Sequence, residues 1–222
     1  MVQISASLLA ADYARLGEEV RRAEAAGVDS FHIDMMDGHY VPNLALAPQH
    51  LTALRPYTGL SFHAHLELSN PDEVLSSFQS FPADLITVQW DTLTRPHRTF
   101  ETIAARGAKI GLGLSPDDQV EEILRFVSQV DLLLILGVHP GFGGQTMQPD
   151  SIEKIRTARA LADDLKPSLS IAVDGGVRPE NVVALAQAGA DCLIMGTALF
   201  HSADMAETVR WIRESIAGLP RR

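Results

Sequence analysis

Apolar residues recur along this chain with two alternating periods. Short runs rich in Val, Ile, Leu and Phe, bounded by Gly, Pro, Asp or Ser, predict strands, and between them apolar residues repeat at three- and four-residue spacing, as on one face of a helix. Strand-type runs fall at 3–7, 30–34, 60–65, 85–89, 109–114, 132–138, 169–173 and 192–195. Helical patterns between them include DYARLGEEVRRAEAAG, PDEVLSSFQSF, QVEEILRFVSQ, DSIEKIRTARALADDL and ENVVALAQAG. Gly27 and Gly189 mark helix ends, and Asp150 or Ser151 a helix start. Strand and helix in strict alternation predict a parallel sheet, and eight such units favour closure into an α/β (β/α)8 TIM barrel. An open doubly wound sheet is the competing architecture. Against it, polar and glycine-rich residues follow nearly every strand, as a barrel with its site at the strand C-termini requires.

Composition narrows the picture. The 222 residues, 46% hydrophobic and 21% charged, suffice for one sizeable core, and no low-complexity linker divides them, so a single barrel domain over 1–222 is expected. Only the end, GLPRR, reads as frayed. The start, MVQISASLLAADY, lacks the basic stretch, apolar run and cleavage site of a signal peptide, and no stretch is apolar enough to span a bilayer. A soluble, cytoplasmic protein is expected. A formal net charge of -10 disfavours nucleic acid and anionic membranes as partners. Cys192, inside DCLIMG, reads as a buried inert thiol. Lysine occurs only as Lys109, Lys154 and Lys166, so an anionic substrate has to be captured by local geometry.

Candidate chemistry gathers at the strand ends. FHIDMMDGHYVPN puts His32 and Asp34 two residues apart, SFHAHL does the same for His63 and His65, and SIAVDGG supplies Asp174 just past the seventh strand. A spacing of two sends both side chains of a pair to one face of a strand. Imidazoles and carboxylates converging in a closed barrel suit one divalent ion such as Zn2+, Fe2+, Mn2+ or Co2+. An Asp on each side of a bound ketose could also take a proton from one face and return one to the other, with a metal stabilising the enediolate. Asp37, beside Gly38, reads as a turn residue. Glycines follow the last three strands in HPGFGGQ, DGG and MGTALF, where backbone N–H groups and helix ends can hold a phosphate without lysine.

Together, HIDMMDGHYVPN, HAHL, VHPGFGGQ, VDGG and MGTALF resemble the ribulose-phosphate 3-epimerase family over the chain from about Ile4 to the last helix. The resemblance implies a metal-dependent isomerase on a ribulose-phosphate-binding barrel that interconverts D-ribulose 5-phosphate and D-xylulose 5-phosphate. It assigns the metal to His32, Asp34, His65 and Asp174, with Asp34 and Asp174 as the two acid/base residues. Ser7, Met36 and His65 would meet the substrate, Met36 beneath the enediolate. Gly141, Phe142, Gly143, Gly144, Gly175, Gly176, Gly196 and Thr197 would surround its phosphate. A homo-oligomer is also implied.

Departures from the family pattern gather around the reacting end. Glu67 and Leu136 stand where methionines are usual, Gly137 replaces Ser or Thr, and His139 replaces Asn or Glu. Gln89, Asp91, Ser115 and His63 also differ. Glu67 shares a strand face with His65. It is expected to turn toward solvent or a neighbouring cation; the alternative is a hydrogen bond to a substrate hydroxyl and a preference for another ketose phosphate, such as allulose 6-phosphate. An amidohydrolase would carry its HxH pair on the first strand, and Schiff-base aldolases or decarboxylases with DxKxxD need a strand-end lysine. A non-catalytic sugar-phosphate-binding paralogue also stands as an alternative, opposed by the presence of both aspartates.

Overall fold

In a computed structural model describing residues 1–78 and 80–219, eight parallel strands close into a barrel in chain order. They are β1 (Gln3–Ser7), β2 (Ser30–Met36), β3 (Ser61–Glu67), β4 (Leu85–Gln89), β5 (Lys109–Leu114), β6 (Leu132–Leu136), β7 (Ser170–Asp174) and β8 (Cys192–Met195). The ring closes where β1 pairs with β8, from Gln3 opposite Cys192 to Ala6 opposite Met195. Around it lie α1 (Leu16–Ala26), α2 (Pro48–Leu54), α3 (Pro71–Ser77), α4 (Pro96–Ala104), α5 (Ser151–Leu165), α6 (Val182–Ala188), α7 (Thr197–Phe200) and α8 (Met205–Ile216). Gly27 and Gly189 end α1 and α6 in the left-handed conformation. Of the GLPRR end, residues 220–222 lie outside the described residues.

Period-two alternation along each strand divides the side chains between two environments. Ile4, Phe31, Ile33, Phe62, Leu66, Ile86, Val88, Leu112 and Ile135 join the helices in one continuous apolar core. The barrel interior is different on its two sides. Across β6 to β8 it is filled by Leu132, Leu134, Leu136, Ala172, Cys192 and Ile194. Across β1 to β4 the buried alternate residues are Ser5, Ser7, His32, His63, His65, Thr87 and Gln89. Gly111 and Gly113 on β5 leave room for Thr87 and Gln89, whose side chains occupy the space a Cβ would take.

A repeated clamp seals the N-terminal end of the barrel. Asp29, Asp84, Asp131 and Asp191, each just before an even-numbered strand, accept hydrogen bonds from the backbone N–H of Ile4, Phe62, Ile110 and Ile171 on the preceding odd strand. The N–H of each Asp returns a bond to the carbonyl of the same partner. A basic side chain sits beside each carboxylate in turn: Arg213, Arg55, Lys166 and Arg159. Strand-end amides that no neighbouring strand reaches are thereby satisfied.

Three expectations about elements change. β2 and β3 run two residues longer than the sequence pattern suggests, because Met35 and Met36 still pair with Leu66 and Glu67. β6 stops at Leu136, where the N–H of Gly137 turns to the carbonyl of Asp174 at 2.6 Å and the chain enters the glycine loop. Residues Val120–Gln129 form 3-10 turns rather than an α-helix. Their buried residues Val120, Ile123 and Phe126 repeat every third position, which is the 3-10 period.

Candidate active site

At the C-terminal end of the barrel a cleft of about 640 Å3 opens between the ends of β1 to β3 and those of β6 to β8. Its floor carries Ser7, Asp34, Met36, Glu67 and Asp174, and its walls are the glycine loops after β6, β7 and β8. Every residue assigned from the sequence, except His32 and His65, lines this cleft. Those two are fully buried beneath it, against Asp34.

One donor atom from each of His32, Asp34, His65 and Asp174 lies within 4.8 Å of the other three. Asp34 Oδ1 is 3.0 Å from both His32 Nε2 and His65 Nδ1, and Asp174 Oδ2 is 3.5 Å from His32 Nε2. Behind them stands His63, whose Nδ1 is 3.1 Å from His32 Nδ1 and whose Nε2 is 2.7 Å from Thr87 Oγ1. Burial and two neighbouring imidazoles push His63 well below the usual histidine range, so it is neutral. With His63 donating to Thr87 and accepting from His32 Nδ1, His32 presents Nε2 to Asp34 and Asp174, as a donor when protonated and as a lone pair when a metal ion takes the proton's place. A cation at the centre stabilises that arrangement, and His65 Nε2, buried without a partner, adds a further uncommitted nitrogen. The residues therefore fit a metal of the imidazole and carboxylate class.

The two carboxyl groups are pulled apart electrostatically. Burial raises both, but His32 and His65 hold Asp34 well below its ordinary value, whereas Asp174, facing the charge of Asp34, stays raised. Asp34 is locked further by the Ser7 hydroxyl, which donates to its Oδ2 at 2.9 Å. Two carboxyls whose proton affinities are pushed in opposite directions suit paired acid and base work.

The loops that wall the cleft depend on glycine in two places. Gly175 and Gly176 have φ of +89° and +71°, and a Cβ would come within 2.5 Å of Val138 Cγ2 at Gly175 and of Met147 N at Gly176. Successive backbone N–H groups in this conformation form an anion-binding concavity. Thr197 begins α7, a helix of only four residues, so backbone N–H groups outweigh any helix dipole there. Phe142, 54% exposed, stands at the rim. The lysines take no part: Lys154 donates to the carbonyls of Ser115 and Pro116, Lys166 to that of Val130, and Lys109 opens β5 at the opposite end.

Glu67, Gln89, Asp91 and Ser115 fall differently from the sequence reading, whereas Asp37 and Cys192 stand as it expected. Glu67 does not face solvent. It is 3% exposed, its Oε1 is 3.8 Å from His65 Nδ1, and its Oε2 has no partner. Burial, reinforced by Asp34 and Asp174 and opposed by His65, pushes its carboxyl up to about 8. Gln89, Asp91 and Ser115 do not line the cleft but gather around Tyr40, whose hydroxyl donates to Asp91 at 3.1 Å. Asp37 is a loop tie, accepting from His39 N, Tyr40 N, Ser69 N and Ser69 Oγ. Cys192 is buried, its thiol pushed up to about 12 by burial. Sequence reasoning missed two residues. His63 was visible in HAH without a role, and Arg178, which lines the cleft and reaches the Gly144 carbonyl at 3.4 Å, was signalled by its place two residues after DGG.

A model of the ribulose-phosphate 3 epimerase family matches residues 3–200. The ribulose-phosphate 3-epimerase of Bacillus subtilis is 37% identical over 216 residues, covering 97% of this chain and 100% of that protein. The chloroplastic ribulose-5-phosphate-3-epimerase of Arabidopsis thaliana is 38% identical over 214 residues, 96% of this chain and 76% of that one. Among solved structures, 3-hexulose-6-phosphate synthase from Salmonella typhimurium superposes with a TM-score of 0.69 at 17% identity, covering 96% of this chain and 98% of that one. At that identity the likeness speaks for the barrel alone.

Proposed function

This chain belongs to the ribulose-phosphate 3-epimerase family, isomerases acting on phosphorylated sugars, and on that premise we propose that it interconverts D-ribulose 5-phosphate and D-xylulose 5-phosphate by two-base proton transfer at C3. The observation that carries this reading is the quartet His32, Asp34, His65 and Asp174 at the floor of a cleft walled by three glycine loops. Those four residues would hold one divalent ion, with Zn2+, Fe2+, Mn2+ and Co2+ all suited to the donor set. When bound, the ion stabilises negative charge on the oxygens beside the reacting carbon.

The chain's own residues do the rest. Asp34, kept ionised by its imidazole neighbours and oriented by Ser7, accepts the C3 proton from one face. Asp174, whose carboxyl is raised above its ordinary value by burial and by the charge of Asp34, serves the other face, and the roles reverse for the opposite direction. Met36 lies against the reacting carbons and excludes water. Backbone N–H groups around Gly143, Gly144, Gly176, Gly196 and Thr197 hold the phosphate, with Arg178 adding the positive charge that lysine does not supply. Both aspartates stand on the cleft floor, which favours turnover over a purely binding role.

The test is a panel of ketose phosphates incubated in deuterated water with metal-loaded protein. Deuterium entering C3 of ribulose 5-phosphate, with formation of xylulose 5-phosphate, is expected. Exchange with a different ketose phosphate alone would refute the substrate, and no exchange with any would refute the reaction. The same reading makes residues 1–222 one working barrel and predicts a homo-oligomer, measurable by light scattering. No helix among the described residues is long and apolar enough to cross a membrane.

A further inference from the structure

Resting on the reading of the cleft as a ketose phosphate site, we propose that Glu67 is a specificity residue that accepts a hydrogen bond from the hydroxyl of the sugar's phosphate-free end, C1. In the closed ring, β3 stands four strands from β7, so Glu67 at the end of β3 faces the Gly175–Gly176 loop across the cleft. A sugar whose phosphate lies among the loops after β6, β7 and β8 must extend over the quartet to bring C3 to Asp34 and Asp174. Its next two carbons then run toward the opposite wall, where Glu67 lines the cleft.

Three features make Glu67 a receptor and not a bystander. It is 3% exposed, so no bulk water satisfies it. No described side chain hydrogen-bonds it: Oε2 has no partner and Oε1 stands 3.8 Å from His65 Nδ1, beyond hydrogen-bond reach. Met36, its register partner on β2, offers no donor, so the strand beside it leaves the carboxyl free for a ligand. A buried polar group without a partner costs free energy until something bonds it, and a hydroxymethyl group arriving at that wall provides the donor. Either protonation state of Glu67 leaves an acceptor oxygen. A site built to bond a hydroxyl discriminates strongly against the analogue lacking it.

The experiment compares D-xylulose 5-phosphate with 1-deoxy-D-xylulose 5-phosphate, which carries a methyl group at C1. Apparent dissociation constants are measured by calorimetry for the wild type, Glu67→Met and Glu67→Gln, with metal content determined for each. Wild type should prefer the parent sugar by about 10- to 100-fold, the range for leaving one buried hydrogen-bonding group unpaired. Glu67→Met should collapse that ratio toward unity, and Glu67→Gln, which keeps a carbonyl acceptor, should restore most of it. Equal ratios in wild type and Glu67→Met overturn the assignment. Deuterium wash-in at C3, followed separately, tests the epimerase reading: a collapsed ratio with no wash-in would refute the reaction and leave Glu67 standing, whereas failure of wild type to bind either sugar overturns both.

Discussion

His63 is the most informative position outside the four metal-facing residues, because it touches the quartet only through His32. Replacing it with Leu keeps an apolar volume near that of the imidazole but removes both hydrogen bonds, at 3.1 Å to His32 and 2.7 Å to Thr87. His32 Nδ1–H is then buried without an acceptor, and the ring loses what fixes its tautomer. Leaving one such donor unpaired costs about 1 to 3 kcal/mol of stability. Partners behind a metal ligand typically contribute about 10- to 100-fold in metal affinity, or roughly 1.4 to 2.7 kcal/mol. Competition titration of Zn2+ or Co2+ against a chelator, beside thermal unfolding of the metal-free protein, measures both effects. Asp in place of His63 offers an acceptor to His32 and should retain more affinity than Leu. A His63→Leu protein that binds metal within twofold of wild type would refute the role assigned here.

Asp34→Asn and Asp174→Asn should each abolish epimerisation while preserving the far-UV circular dichroism, and wild-type-like turnover in Asp174→Asn would end the two-base mechanism. A free ketose should lose about 2 to 4 kcal/mol of transition-state binding relative to its phosphate, roughly 30- to 1,000-fold in kcat/KM, as two or three bonds to an ionised group imply; equal turnover of the two would contradict the glycine-loop assignment. Asp37→Asn should cost about 1 to 2 kcal/mol in urea unfolding, since an amide cannot accept four donors. Burial raises this carboxyl, but the N–H groups of Tyr40, Ser69 and His39 hold it well below its ordinary value. Its stabilisation is therefore present above the unfolded value, near 4, and fades as pH falls toward the folded one, so the wild-type advantage over Asp37→Asn should shrink on acidification.

Hydrophobic periodicity made the barrel legible because each strand has one face that must be apolar, toward the helices, and that face sets a period of two. The strand ends were less legible. Past Asp34 and His65 the residues Met35, Met36, Leu66 and Glu67 continue pairing, and nothing in their composition marks where a ladder stops. The site was legible where function demands residue types that a core would not otherwise contain, as in HxD, HAH and DGG. His63 carried no role in the sequence, because its spacing from His65 shows only a shared strand face; the register with His32 reveals that it backs the site. Glu67 was expected to turn toward solvent or a neighbouring cation because the metal and phosphate motifs around it are intact; it is buried, 3.8 Å from His65 Nδ1. Its burial follows from strand period, which fixes its face whatever the charge costs.

The aspartates before β2, β4, β6 and β8 were equally visible as VDS, ADL, VDL and ADC, and they carry a division of labour between the two ends of the barrel. All four bond strand N–H groups at the end remote from the cleft, so their removal should weaken the fold without touching the chemistry. Asp191 pairs with the most buried of the four cations: its Oδ2 accepts from Ile171 N at 2.9 Å and pairs with Arg159 at 3.1 Å, and Arg159 is 8% exposed. Asp191→Ala forfeits a charge-assisted backbone bond, about 1.5 to 3 kcal/mol, and leaves a largely buried guanidinium with Asp163 as its remaining carboxylate. The cations beside Asp29, Asp84 and Asp131 are all more exposed than Arg159, and their ion pairs contribute at most about 1 kcal/mol each. Asp191→Ala should therefore lower stability by about 3 kcal/mol, more than the same change at Asp84, while kcat/KM below the unfolding transition stays near that of wild type. Urea unfolding with parallel activity measurements separates the two. A folded Asp191→Ala protein with impaired catalysis would show that the two ends of the barrel are coupled and would refute this division.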